Sequence, residues 1–272
     1  MDKKIAIIYH SGSGSTRTVS EVLTDKLSRH CTTSLIPVSL DFDYPSLNTY
    51  DVLLFGFPTY SCKPSQSMLE FIDTMPVLSA VKNAVVFTTC SLYTGNAIRI
   101  MVKKLASKNI VTTMFFKVNG PASDAALIIS SPPAFLLRYE KKACKKIEDA
   151  VSYIIDQNNE PSEKPKIPFY KWYVPLNKTL IYFAEKKYNT YRDTMEVIDE
   201  RCINCNTCVT NCIRDGWSGG NTKPEFNPSL CELCLKCVHN CPENAIIFSE
   251  KMKDNYRLNN KFYKEMKRLF LL

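Results

Sequence analysis

The sequence predicts an α/β, doubly wound parallel sheet followed by a small cysteine-rich α+β module. Residues 4–9, 51–57 and 84–89 are continuous apolar runs. Each ends in a loop of small and aromatic residues that leads into a helical pattern, as strands buried on both faces do. Between residues 202 and 241, cysteines recur twice at the spacing C-x2-C-x2-C-x3-C. The length of 272 residues suits one ordinary domain and one small one. The expected divisions are a sheet domain over 1–156, an aromatic-rich segment over 157–193, the cysteine module over 194–250 and a basic helix over 251–272.

The first run, K-I-A-I-I-Y, is too short for a signal peptide and reads as the first strand. It ends in H-S-G-S-G-S-T, after which Val19, Val22, Leu23 and Leu27 begin a helical pattern. Strand, small-residue loop and helix make a phosphate site, because N–H groups at the helix N-terminus point at the anion. Gly12 and Gly14 let the backbone approach closely, and Ser11, Ser13, Ser15 and Thr16 add hydroxyls. The loop is neither a P-loop nor a dinucleotide fingerprint, lacking G-K-[ST] and the G-x-G-x-x-G spacing. The second run ends in P-T-Y-S-C-K-P and a helix over 65–75. The third ends in C-S-L-Y-T-G-N and a helix over 95–107. Open α/β sheets bind ligands at this edge, which adds Pro58, Thr59, Tyr60, Ser61, Thr89, Cys90, Ser91, Leu92, Tyr93 and Gly95 as candidates. Strands over 34–38 and 111–118 complete five, in the order 2-1-3-4-5. A helix over 139–155 closes the domain.

The cysteine spacing has a chemical reason. Three cysteines at steps of three wrap three corners of a small cube from one coil of backbone, and the fourth lies too far along to close it. Zinc usually takes its ligands as two separated pairs and fits this run poorly. A disulfide framework would need a secreted context. The second run ends in Pro242, completing the bacterial [4Fe–4S] pattern. The region resembles bacterial-type two-[4Fe–4S] ferredoxins, in which the fourth cysteine of each run serves the other cluster. That implies one cluster on Cys202, Cys205, Cys208 and Cys241, and another on Cys231, Cys234, Cys237 and Cys212. Ile213 departs from the expected Pro. Asn204 and Asn206 stand where glycine is common, and Asn tolerates left-handed backbone.

Tyr9, Ser11, Ser13, Gly14 and Thr16 match the flavodoxin signature, an aromatic followed by S/T-x-S/T-G-x-T. G-F-P-T-Y, residues 56–60, matches that family's second flavin loop. Residues 1–155 thus resemble a flavodoxin-like domain, and the whole chain resembles the flavodoxin–ferredoxin fusion proteins of anaerobic microbes. The resemblance implies FMN, with its phosphate on residues 11–16 and Tyr60 or Tyr93 against the ring. It implies an electron-transfer flavoprotein passing single electrons between two [4Fe–4S] clusters and FMN. The partner would be a redox protein or a small-molecule acceptor. Two other readings stay open: a flavin-dependent reductase fed by its own clusters, and a docking module with clusters but no flavin.

The remaining features are less specific. Cys62 and Cys90 lie on flavin-type loops, as a redox-active pair or as small residues in tight turns. Cys31 and Cys144 read as core. His10 sits at the phosphate loop, and His30 and His239 read as structural. Residues 119–138 fit no regular element and offer a place for a substrate- or partner-specific insertion. The aromatic segment before Cys202 reads as a wedge between the two units, with a membrane-surface anchor as the other reading. In the tail, Leu258, Phe262, Met266 and Leu269 recur at helical spacing opposite Lys261, Lys264, Lys267 and Arg268, predicting a docked basic helix. The net charge of +8 would be largely offset by thiolate-bound clusters and a phosphate, so it does not point to nucleic acid. No stretch is apolar enough to span a membrane. The expected compartment is the reducing cytoplasm.

Overall fold

The computed structural model describes residues 3–39, 41–157, 164–172, 178–219 and 223–271. In chain order the first unit comprises β1 Lys4–Tyr9, α1 Ser15–Leu27, β2 Thr32–Pro37, β3 Val52–Tyr60, β4 Lys63–Pro64, α2 Gln66–Thr74, β5 Lys82–Cys90, α3 Ala97–Ala106, β6 Ile110–Asn119, α4 Ser123–Ile128 and α5 Ala143–Asp156. The strands pair in parallel in the order β2-β1-β3-β5-β6, with β4 folded back antiparallel on the end of β3. Apart from that hairpin, the order is the one expected. Alternate residues serve opposite faces. Ala6, Ile8, Leu53, Phe55, Ala84 and Val86 pack under α2 and α3. Ile5, Ile7, Val52, Leu54, Val85 and Phe87 pack under α1 and α5. Both faces being covered, the strands read as unbroken apolar runs.

Three expectations for this unit need correction. β2 starts at Thr32 rather than Ser34. The closing helix starts at Ala143 rather than Tyr139; Tyr139 lies before it, with its hydroxyl on the Ser15 carbonyl. Residues 119–138 are not irregular throughout, since α4 forms there. Its six residues are too few to hold a helix alone; tertiary contacts hold it. Ala126 packs with Leu258, Phe262 and Tyr263, and Leu127 enters the core of the cysteine module.

The second unit comprises α6 Lys178–Asp193, β7 Glu196–Val197, α7 Thr207–Asn211, β8 Trp217–Ser218, β9 Glu225–Phe226, α8 Lys236–Asn240, β10 Ile246–Ile247 and α9 Asn260–Leu271. Part of the aromatic segment is therefore a helix; the polar linker residues 158–163 lie outside the described residues. The strands expected over 194–199 and 245–248 pair for only two residues each, Ile246 with Val197 and Ile247 with Glu196. The cysteine runs form a structural repeat. Asn204 and Asn206 adopt left-handed backbone at φ 52° and 55°, and Leu233 and Leu235 do the same at the matching positions of the second run, at 56° and 61°. Asp215 and Asn244 match in the same way. α7 and α8 follow as equivalent short helices.

The units interlock. Ile213, in the place of the expected Pro, packs against the sheet's first core, whereas Pro242 is exposed; that contact accounts for the departure. Arg214 Nη1 meets Glu70 Oε2 at 2.5 Å. α9 lies on α1, where Lys267 pairs with Asp25 at 2.8 Å and Glu21 at 3.5 Å. Of the expected stripe, Leu258 and Phe262 are buried and Met266 packs against them, joined by Tyr263 and Phe270, whereas Leu269 is 61% exposed. Phe270 takes the place expected of Leu269, so the stripe turns by one residue in the last turn only. Among the described residues no helix is long and apolar enough to cross a membrane.

Candidate functional site

The C-terminal ends of β1, β3 and β5 open into one cavity of about 1010 Å³, at the upper end of small-molecule and cofactor sites, roughly 300–1,000 Å³. Its lining brings together Ser11, Gly12, Ser13, Ser15 and Thr16 with Pro58, Thr59, Tyr60, Ser61, Thr89, Cys90, Ser91, Leu92 and Tyr93. Two expected residues stand outside it. Gly14 lies against the Tyr263 ring, and Gly95 packs on Cys62. Cys62 and Cys90 both line the cavity. Cys90 points at Asn119 Oδ1, 3.7 Å away, and burial pushes its pKa up, the opposite of an activated thiol.

The first loop leaves donors open to the cavity. Gly14 is the N-cap of α1 at φ 145° and has no side chain with which to cap it. The Arg17 N–H donates to Ser11 Oγ at 3.2 Å. Thr16 Oγ1 meets Thr89 Oγ1 at 2.7 Å, tying the first loop to the third. The Tyr139 hydroxyl donates to the Ser15 carbonyl at 2.9 Å, and the Tyr263 hydroxyl lies 2.9 Å from Ser13 Oγ. A helix N-terminus that begins on a glycine and is ringed by hydroxyls is the donor set a phosphate needs. The second and third loops, with Tyr60 and Tyr93, border the same space, so these residues fit FMN.

The cysteines divide between two further cavities. Cys202, Cys205, Cys208 and Cys241 line one, and Cys212, Cys231, Cys234 and Cys237 line the other. Each set takes three residues from one run and the fourth from the other. Among the described residues no group of His, Cys, Asp and Glu gathers as around a single metal ion. Each set of four thiols edges its own cavity. Backbone N–H groups of Gly216, Leu233 and Ala245 donate to Cys212, Cys231 and Cys241 sulfurs at 3.2–3.3 Å, contacts of the kind that tune cluster potentials. Burial pushes Cys208 up to about 11 and Cys237 up to about 12, whereas a hydrogen bond with Thr207 draws exposed Cys205 down.

The second cysteine run also forms a wall of the large cavity, through Cys231, Glu232, Leu233 and Leu235. Gly12 is pressed against this run, because a Cβ there would collide with the Cys234 carbonyl oxygen and the Tyr60 hydroxyl. Buried Glu232 reaches across the junction. It accepts from Ser67 N–H at 2.9 Å and Ser67 Oγ at 2.8 Å, at the start of α2. His10 Nε2 lies 3.1 Å from the same carboxylate. Burial lowers the His10 pKa even though Glu232 pulls it up, so the ring is neutral and donates. His239 ties three segments: its Nδ1 accepts from Leu258 N–H at 3.0 Å and its Nε2 donates to the Ser123 carbonyl at 3.1 Å. Burial and nearby Arg257 hold its pKa down to about 3. From α6, Tyr188, Asn189 and Arg192 close the cavity, with Tyr188 donating to Asp124.

Sequence reasoning missed Glu232, Tyr139, Tyr188 and Tyr263. The signal for Glu232 was present as a lone acid inside C-x2-C, but its partners lie in the other unit. Tyr263 stood beside the chosen apolar stripe, one residue away.

Known proteins match both halves. A flavodoxin domain family model matches residues 6–122, and a 4Fe-4S binding domain model matches residues 224–247. Among solved structures, a flavodoxin from the domain Archaea is 16% identical over 56% of this chain and 96% of its own, with TM-score 0.43. Flavodoxin 1 from Bacillus cereus is 17% identical over 57% and 100%, also at 0.43. The flavodiiron protein from Giardia intestinalis is 19% identical over 56% and 34%, at 0.40. With one model on the sheet and the other on the second cysteine run, the chain joins a flavodoxin domain to a 4Fe-4S ferredoxin-type motif, as a flavodoxin–ferredoxin fusion does.

Proposed function

We propose that this electron-transfer flavoprotein carries single electrons through two [4Fe–4S] clusters to FMN in the large cavity. The observation that carries the reading is the shared wall, since the flavin-type loops and Cys231–Leu235 face the same space. When bound, FMN supplies one- and two-electron chemistry at one site. The chain's own part is positional. Residues 11–16 bind the phosphate, the loops at 58–61 and 89–93 orient the ring, and α6 excludes water. Glu232 holds the cluster loop against the sheet. The order of the two sets follows from exposure. Cys205 is exposed and neighbouring Ile203 is 63% exposed, so the first set meets an external redox protein. The second set, with Cys234 pressed on Gly12, relays inward.

Anaerobically purified protein should contain about eight iron, about eight sulfide and one FMN per chain. Cys205→Ser and Cys234→Ser should each lose most of one cluster's iron and slow flavin reduction by an external donor. Unchanged iron in both variants would sink the assignment. The cavity also favours a second reading. It extends past the three loops to Gln66, Asn189 and Arg192, room for a small acceptor beside the flavin, as a reductase would need. Turnover of small acceptors without a protein partner would select that reading.

A further inference from the structure

One residue at the phosphate loop comes from none of the flavin-type loops. Tyr263, on α9, lies with its ring against Gly14, where an added Cβ would meet three ring carbons at 2.5–2.9 Å. Its side chain is 1% exposed, and Ser13 is 7% exposed. The two hydroxyl oxygens are 2.9 Å apart, and either can donate.

Counting protons decides the direction. Each hydroxyl has one proton to place. If Ser13 donated to Tyr263, the phenol proton would be buried with no acceptor among the described residues, and a buried unmet donor is costly. If Tyr263 donates, its proton is satisfied and the Ser13 proton is released. Ser13 lines the cavity and Tyr263 does not, so the released proton points into the cavity, where an oxyanion would accept it. Hydrogen bonds in such a chain reinforce one another.

We propose that Tyr263 is a positioning residue for the cofactor's phosphate: its hydroxyl donates to Ser13 Oγ and turns the Ser13 proton into the cavity. The C-terminal helix thereby helps select a phosphorylated flavin over an unphosphorylated one. The inference rests on the FMN reading above.

The test is a fluorescence titration of the full-length chain, clusters in place and flavin removed, with FMN and separately with riboflavin under anaerobic conditions. Tyr263→Phe keeps the ring on Gly14 and deletes the proton. Its affinity for FMN should fall roughly 3- to 10-fold, the scale of one hydrogen bond, with riboflavin affinity unchanged. Ser13→Ala should lose at least as much, and the double variant no more than Ser13→Ala, because the phenol acts only through Ser13. Unchanged FMN affinity in Tyr263→Phe overturns the proposal. So does a parallel loss for both flavins, which would mean the phenol only shapes the loop. Additive losses in the double variant overturn it too. If the unaltered chain binds neither flavin, the FMN reading itself has failed, and this appears before any variant is compared.

Discussion

Arg257 is buried, and among the described residues its Nε and Nη1 have no hydrogen-bond partner, while Nη2 reaches the Ile246 carbonyl at 3.4 Å. An uncompensated buried cation costs several kcal/mol. Burial lowers its pKa, and the thiols of Cys241 and Cys237, one from each set, act the other way. Arg257 thus stands where two negatively charged clusters would offset it. Arg257→Gln should retain both clusters and shift at least one midpoint potential to more negative values in an anaerobic redox titration. Unmoved potentials would reduce Arg257 to a packing role. Strain is visible at the same scale. Ser61 and Cys62 both adopt positive φ, 44° and 65°, in the turn between β3 and β4, where Asn-Gly is the relaxed choice. Leu233 and Leu235 hold similar values, conformations that leucine rarely adopts. None of these was legible in the sequence, because the partner run and the cavity impose them rather than local preference.

At the scale of elements, the strands of the sheet were legible and the short helices were not. Continuous apolar runs buried on both faces give β1, β3 and β5 a strong signal. α4 has no comparable signal, since it forms because Leu127 and Ala126 find partners far along the chain, in the cysteine module and in α9. The cysteine spacing defined both coils, yet it could not say that one coil would double as a wall of the flavin-type cavity. Ile213 offers a check on that junction. Cys212 before it is extended, at φ −87° and ψ 103°, a conformation that tolerates a following proline. Ile213→Pro should therefore keep its iron and lose packing only, about 1–2 kcal/mol. Thermal melting of the anaerobic holoprotein would read this as a drop of a few degrees. Loss of iron instead would place the strain in the backbone.

Across the whole molecule the two units share walls rather than merely touching. The cavity beneath the sheet's edge is closed by a cluster loop, by α6 and by α4, so its shape depends on the ferredoxin half being folded. Chelating the iron under anaerobic conditions should therefore release flavin, seen as a rise in free-flavin fluorescence. Flavin that stays bound after complete iron loss would show that the sheet domain holds it unaided. The pairing of Ser13 with Tyr263 spans 250 residues of chain. Synthesis runs from the first to the second, at roughly 5–20 residues per second, so the nascent loop waits about 12–50 seconds for its tyrosine. Both cysteine runs leave the ribosome within that interval. Iron insertion thus has a head start on completion of the flavin site, and a shortage of iron during growth would leave chains that lack flavin as well as clusters.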